Sequence, residues 1–227
     1  MWKKQSVELV MACVLLLCFY LLSQKAAGAP QGKEKISILV DAGHGGMDPG
    51  MIGVQGLEEK GINLEIAMRL GDMLKERGYE VIFTRETDQG LYDEDSSRKK
   101  AQDMDRRVEL MRRTAPVLAV SIHQNSFSDP QVRGPQVFYY EDSREGLALA
   151  EVVQERLNAL EETVKPRSVK GNRSYYLLKK SPCTMVIVEC GFLTNPEEAE
   201  LLQREEYQKR VAQAIADGIE KWLEPEV

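Results

Sequence analysis

With 227 residues, 43% of them hydrophobic and 29% charged, the chain has the make-up of an ordinary globular protein. A formal charge of −6 argues against a nucleic-acid partner, which calls for a basic domain with a clustered positive face. Beyond the first segment about 195 residues remain, enough to bury roughly 70% of the surface that their unfolded form exposes, so no disulfide or structural metal is needed to hold them together.

The amino terminus reads as a targeting or anchoring segment. Lys3 and Lys4 precede a nearly uninterrupted apolar stretch from Leu9 to Leu22, and Ala26-Ala27-Gly28-Ala29 is the small-residue cluster of a cleavage site. Residues 1–29 are therefore expected to be a signal peptide or an uncleaved membrane anchor, since Pro30 hinders cleavage after Ala29 and the apolar run is short for a span. Cys18 follows Leu15-Leu16-Leu17, which lacks the small residue of a lipoprotein cleavage box. Residues 30–35 form a polar linker, and residues 36–224 the exported domain.

Strand and helix patterns then alternate. Ile36 to Val40 is an apolar strand; Asn63 to Arg77 places Ala67, Leu70 and Leu74 on one helical face and closes on Gly78. Tyr79 to Thr84 is the next strand, Gln89 to Ser97 an acidic loop, Ser97 to Arg113 a charged helix, and Val117 to Ile122 a third strand. Gly134 to Tyr140 alternates as an antiparallel edge strand would, Leu147 to Leu160 is an amphipathic helix, Ser174 to Leu178 a short strand and Met185 to Val188 the last buried one. Asn195-Pro196-Glu197-Glu198 caps a closing helical segment whose stripe runs through Val211, Ile215, Ile219 and Trp222. The pattern predicts a single α/β domain, a mostly parallel twisted sheet of about six strands with helices on both faces.

Cys183 and Cys190 bracket the last strand, and extended chain separates them by roughly 23 Å, far beyond disulfide reach. Cys190 reads as a small buried hydrophobe rather than a nucleophile.

Only two histidines are present, and each stands where an apolar run gives way to polar residues: His44 in Asp41-Ala42-Gly43-His44-Gly45-Gly46 and His123 in His123-Gln124-Asn125. Open α/β sheets carry their chemistry at such strand ends, so the two imidazoles are candidate ligands for one metal ion; ordinary loop or capping residues are the alternative. Glu59 lies just ahead of a helical pattern. Glu189 closes a β-branched apolar run, where a carboxylate is costly to desolvate unless it is paired in a salt bridge or does chemistry as a base. Gly43, Gly45 and Gly46 allow tight turns where a Cβ would intrude.

These residues also carry a resemblance. Val40-Asp41-Ala42-Gly43-His44-Gly45-Gly46-Met47-Asp48-Pro49-Gly50, then Glu59-Lys60 with Asn63-Leu64, Thr84-Arg85, Ser121 to Asn125, and Val188 to Asn195 resemble the zinc-dependent N-acetylmuramoyl-L-alanine amidases, peptidoglycan hydrolases, over about Ile36 to Trp222. A lone catalytic domain behind a leader, with the insertion Ser96 to Ala101 before Arg107, is most similar to the branch that helps make muramic-δ-lactam in the spore cortex of endospore-forming bacteria. The resemblance implies that His44, Glu59 and His123 bind zinc (Zn2+) and that Glu189 is the catalytic carboxylate. Two imidazoles and one carboxylate leave a fourth tetrahedral position open, as catalytic zinc sites do. The implied partners are muramyl peptides of peptidoglycan, with an unnamed accessory protein and membrane attachment through the leader as further expectations. The alignment favours Glu59 over Glu58 as ligand, assigns Arg107 to a structural ion pair, and leaves Asn125 either orienting the substrate or stabilising its loop. Ala42 replaces a frequent proline, and Cys190 a small or aliphatic residue.

Two other functions remain at this point: a zinc carboxypeptidase that trims the stem peptide, and a wall-binding module without turnover. The fold alone separates none of the three.

Overall fold

Runs of apolar residues without alternation belong inside parallel sheets, covered on both faces, and β1 (Ser37–Ala42) is such a run, buried from Ile38 onward. A computed structural model describes residues 35–224, together with 11 and 14–16; the rest of the leader and linker lies outside the described residues. With β2 (Glu80–Phe83), β3 (Leu118–Asn125), β4 (Gln136–Tyr140), β5 (Lys170–Asn172) and β6 (Thr184–Phe192), β1 forms a six-stranded sheet in the order β2-β1-β3-β6-β4-β5. Strands β1, β2, β3 and β6 are parallel; β4 runs antiparallel to β6, and β5 parallel to β4. Among the described residues no helix is long and apolar enough to cross a membrane.

Helices cover both faces, as the alternation of patterns predicts. On one face α1 (Glu59–Glu76), α3 (Arg144–Asn158) and α6 (Glu205–Leu223) bury Ile66, Leu70, Leu149, Val153, Val211 and Ile215 against Ile38, Val40, Val120 and Val188. On the other, α2 (Lys99–Thr114) and the short α4 (Tyr176–Lys180) bury Val108, Met111, Leu177 and Leu178 against Leu39, Ala119, Met185 and Ile187. Successive strand residues point to opposite faces, so Asp41, Ser121, His123 and Glu189 share the face of Leu39, Ala119 and Ile187, where the helical cover is thinner. Chain order reverses between β1 and β3, and the carboxyl ends flanking such a reversal form the crevice in which open α/β sheets bind ligands.

Several boundaries differ from the sequence expectations, each for a packing reason. β3 continues through His123 to Asn125, because β6 runs beside it and pairs His123 with Glu189. β6 likewise extends beyond Val188 to Phe192. α1 starts at Glu59 rather than Asn63, which places Glu59 in its first turn, where the helix dipole favours a carboxylate. Gly134 to Tyr140 is not an edge: β5, a Lys-Gly-Asn segment with no apolar signature, pairs outside it. Ser174 to Leu178 is no strand; Leu177 and Leu178 belong to α4 and plug the smaller core. The closing segment is two helices, α5 (Pro196–Leu202) and α6. The cap before them holds, with the Asn195 side chain accepting from the Glu198 amide at 2.9 Å and Pro196 at the first turn. Cys183 and Cys190 are both free thiols.

Candidate metal centre and its cleft

Three elements bring the centre together. The Asp41 to Gly46 turn leaves β1 and carries His44; α1 begins with Glu59; β3 carries His123. His44 Nε2 lies 3.1 Å from Glu59 Oε2, and His123 Nδ1 lies 3.0 Å from Glu59 Oε1. One ligand atom from each residue falls within 4.8 Å of the others, and the two rings meet edge to face with centroids 4.9 Å apart.

The turn is built to make this approach possible. A Cβ on Gly43 would lie 2.3 Å from the His123 ring, so glycine there is what lets β1 pass against the imidazole. His44 itself adopts φ 61, a left-handed backbone conformation uncommon for residues other than glycine. Asp48, four residues on, takes His44 Nδ1 at 3.0 Å and so directs Nε2 toward Glu59.

Polar groups quoted in the motifs but given no role there fix the remaining parts. Glu59 Oε2 accepts from the Met51 amide at 2.7 Å, while Oε1 accepts from the Gln124 amide at 3.0 Å and from Asn63 Nδ2 at 3.1 Å. Gln124 Nε2 in turn donates to Asn63 Oδ1 at 3.1 Å. Arg85 donates to the carbonyls of Ala42 (3.0 Å), Gly43 (2.9 Å) and Lys60 (2.8 Å), tying the β1 turn to the start of α1. Asn63 sits one helical turn after Glu59, the spacing at which two side chains meet, and it stands in the Glu59-Lys60/Asn63-Leu64 motif of the family resemblance. Glu58, by contrast, is half exposed and pairs only with Lys60, at 3.5 Å.

Arg107 occupies a structural position, as expected. It is 1% exposed, pairs with Asp41, and donates to Asp103 at 2.6 Å, to the Ala42 carbonyl at 2.9 Å and to the His44 carbonyl at 2.7 Å. Burial alone would raise the Asp41 carboxyl, but Arg107 and the hydroxyls of Ser121 and Thr84 hold it at about 2.

Electrostatics show what the centre accepts. Burial would raise Glu59, but both imidazoles hold it well below the usual carboxylate range. Burial would lower His123, but the hydrogen bond and charge of Glu59, with Glu189 beyond it, raise it to about 9. A positive charge is therefore strongly favoured between Glu59 and Glu189, and two imidazole nitrogens with a carboxylate oxygen are the donor set of catalytic zinc. The residues present fit that ion.

Glu189 lies opposite His123 in the β3·β6 ladder and is buried, and its Oε2 has no hydrogen-bond partner among the described residues. Burial pushes its carboxyl up to about 7, against the lowering effect of His123. Glu189 and the three candidate ligands line one cleft of ≈ 490 Å³, rimmed by Met47, Tyr175 and Tyr176. Asn125 also lines it; its side chain accepts from the Ser126 amide at 2.8 Å, the loop-stabilising contact.

Such a cleft at the carboxyl edge of a mostly parallel sheet, with a buried carboxylate beside a His-Glu-His cluster that could hold a metal ion, defines the class: a hydrolase domain of α/β architecture. The chain belongs to the N-acetylmuramoyl-L-alanine amidase family, whose profile matches residues 38–221. It is 39% identical over 190 residues to the germination-specific N-acetylmuramoyl-L-alanine amidase of Bacillus subtilis (strain 168), covering 82% of this chain and 79% of that one. It is also similar to the CwlD amidase of Clostridioides difficile, solved in complex with the GerS lipoprotein, with TM-score 0.80, 38% identity and coverage of 83% and 98%. Amidase AmiC2 of Nostoc punctiforme follows the same fold with TM-score 0.74, 36% identity and coverage of 85% and 99%.

Proposed function

We propose that this chain is a zinc-dependent peptidoglycan hydrolase that cleaves the amide between the lactyl group of N-acetylmuramic acid and the L-alanine of the stem peptide. The observation that carries this reading is the convergence of His44, Glu59 and His123 beside the partnerless, buried Glu189 oxygen. Zinc in such a set supplies Lewis acidity, polarising a carbonyl and making water more acidic. The chain's own residues do the rest. His44, Glu59 and His123 hold the ion, and Asp48 keeps the His44 ring turned. Glu189, with its carboxyl near neutrality, takes a proton from the attacking water as the new C–O bond forms. The same proton then passes to the amine of L-alanine as the C–N bond breaks, and the carboxylate is restored.

The family relationship and the likeness to a germination-specific amidase support action on the cell wall outside the cytoplasm, and the resemblance of the motifs and insertion extends the proposal to the spore cortex during muramic-δ-lactam formation. Residues 1–29 would direct export or anchor the chain, and residues 30–35 would link them to the catalytic domain 36–224. The lipoprotein complex of the C. difficile relative supports an accessory partner here as well. Mass analysis of muropeptide products tests the reaction directly. Intact stem peptides beginning with L-alanine are the expected product; release of carboxyl-terminal residues alone would instead make it a carboxypeptidase, and binding without new amino termini a wall-binding module.

A further inference from the structure

A second cavity of ≈ 590 Å³ adjoins the metal cleft, sharing Asn125 and Tyr175 with it. One wall is Gln136, which stands directly opposite Glu189 in the β4·β6 ladder and on the same face of the sheet. In a chain of net charge −6 this cavity is basic: Arg133, Lys165, Arg167 and Lys170 line it, against Asp129 as the one lining carboxylate. Arg133 is paired with Glu197, but Lys165, Arg167 and Lys170 have no carboxylate within ion-pair distance among the described residues. Two of them lie beside aromatic rings. Lys170 Nζ lies 5.6 Å from the centre of the Phe138 ring, and the Arg167 guanidinium lies 5.2 Å from that of Phe192. Arg167 uses its two terminal nitrogens on the Arg133 carbonyl (3.2 Å) and Gln136 Oε1 (3.3 Å), and its Nε is buried with no partner. A buried donor left open in a folded protein calls for an explanation, and unpaired cations lining one concave site attract an anion.

We propose that this cavity is the subsite for a carboxylate of the stem peptide on the leaving side of the scissile amide. The proposal rests on the amidase reading above and adds where the peptide runs: from Glu189 past Gln136 and Tyr175 into the basic cavity. A peptide brings carboxylates to meet these cations, whereas neutral glycan sugars leave them unpaired. Guanidinium and ammonium groups are the donors that bind carboxylates by charge-assisted hydrogen bonds.

The test uses the double variant Lys165→Gln/Lys170→Gln, both exposed positions outside the metal cleft, and two muramyl peptides that differ only in having their stem carboxylates free or converted to amides. With the free-carboxylate substrate the variant should show a KM raised about fivefold with kcat unchanged, the effect of losing two solvent-facing ion pairs, and with the amidated substrate no change. Substrates amidated singly, at the terminal or the internal carboxylate, identify which group the cavity takes. Calorimetric titration with the same peptides reads the binding without turnover. Carboxylate-dependent binding in a protein that hydrolyses neither substrate would sink the amidase reading and leave the subsite standing. Wild-type hydrolysis with the same KM for variant and wild type, or a loss equal on both substrates, would overturn the subsite.

Discussion

His44 is held in position from both sides, by a left-handed backbone that brings its ring over the turn and by Asp48 on the far nitrogen. Asp48→Asn keeps the shape but removes the charge, so zinc affinity should fall about 10- to 100-fold while the fold is retained; competition with a chromophoric chelator measures it, and unchanged affinity would remove Asp48 from the ligand's support. Glu189→Gln should lower kcat by about 10²- to 10⁴-fold with zinc still bound, as the loss of a proton-transferring group does. Near wild-type turnover in that variant would place the base elsewhere. At this scale the sequence exposed much of the centre because its donors are scarce: with only two histidines present, both strand-end positions stood out. The left-handed φ of His44 and the roles of Gln124, Arg85 and Asn63 were not legible, since each depends on which loop comes to lie beside it in space.

The element that holds the centre rigid is the end of β1, pinned to α2 through the buried Asp41–Arg107 pair. Arg107→Met leaves Asp41 uncompensated in the interior, so denaturant unfolding should show a loss of about 3–5 kcal/mol; a loss below about 1 would mean the pair is not needed. The same pair sets a pH response. The folded Asp41 carboxyl, at about 2, lies below its ordinary value of 3.8, so its contribution is fully present above that value and fades as pH falls through about 2. On the order of 2 kcal/mol of stability should therefore disappear across that acid window, and Asp41→Asn should flatten it in urea titrations at successive pH values. Element reading succeeded where the apolar period was long, in α1, α3 and the four parallel strands, and failed where segments were short. Five residues such as Ser174 to Leu178 suit strand or helix equally by period; in the fold only Tyr176 onward is helical, where Leu177 and Leu178 pack into the small core of Phe138, Ile187 and Met111. Lys170–Asn172 shows no hydrophobic pattern at all, so neither β5 nor the inner position of β4 could be read from the residues alone.

For the molecule as a whole, the sidedness of the sheet connects fold to chemistry. α1, α3 and α6 build the larger core on one face and leave the other, under α2 and α4, thin enough for a cleft at the carboxyl ends of β1, β3 and β6. Because both cores are apolar and include none of His44, Glu59 and His123, removing the ion should abolish turnover without unfolding the domain. Chelation is expected to leave far-UV circular dichroism unchanged and to be reversed by added zinc; unfolding on chelation would make the ion structural instead. The central claim is that one zinc ion is gripped by His44, Glu59 and His123 while Glu189 moves the proton. Its most direct test is metal content and muropeptide products measured together on the wild type, His123→Ala and Glu189→Gln. About one zinc per chain is expected in the wild type and in Glu189→Gln, with hydrolysis only in the former, and neither zinc nor hydrolysis in a folded His123→Ala. Full zinc and full activity in His123→Ala would contradict the account.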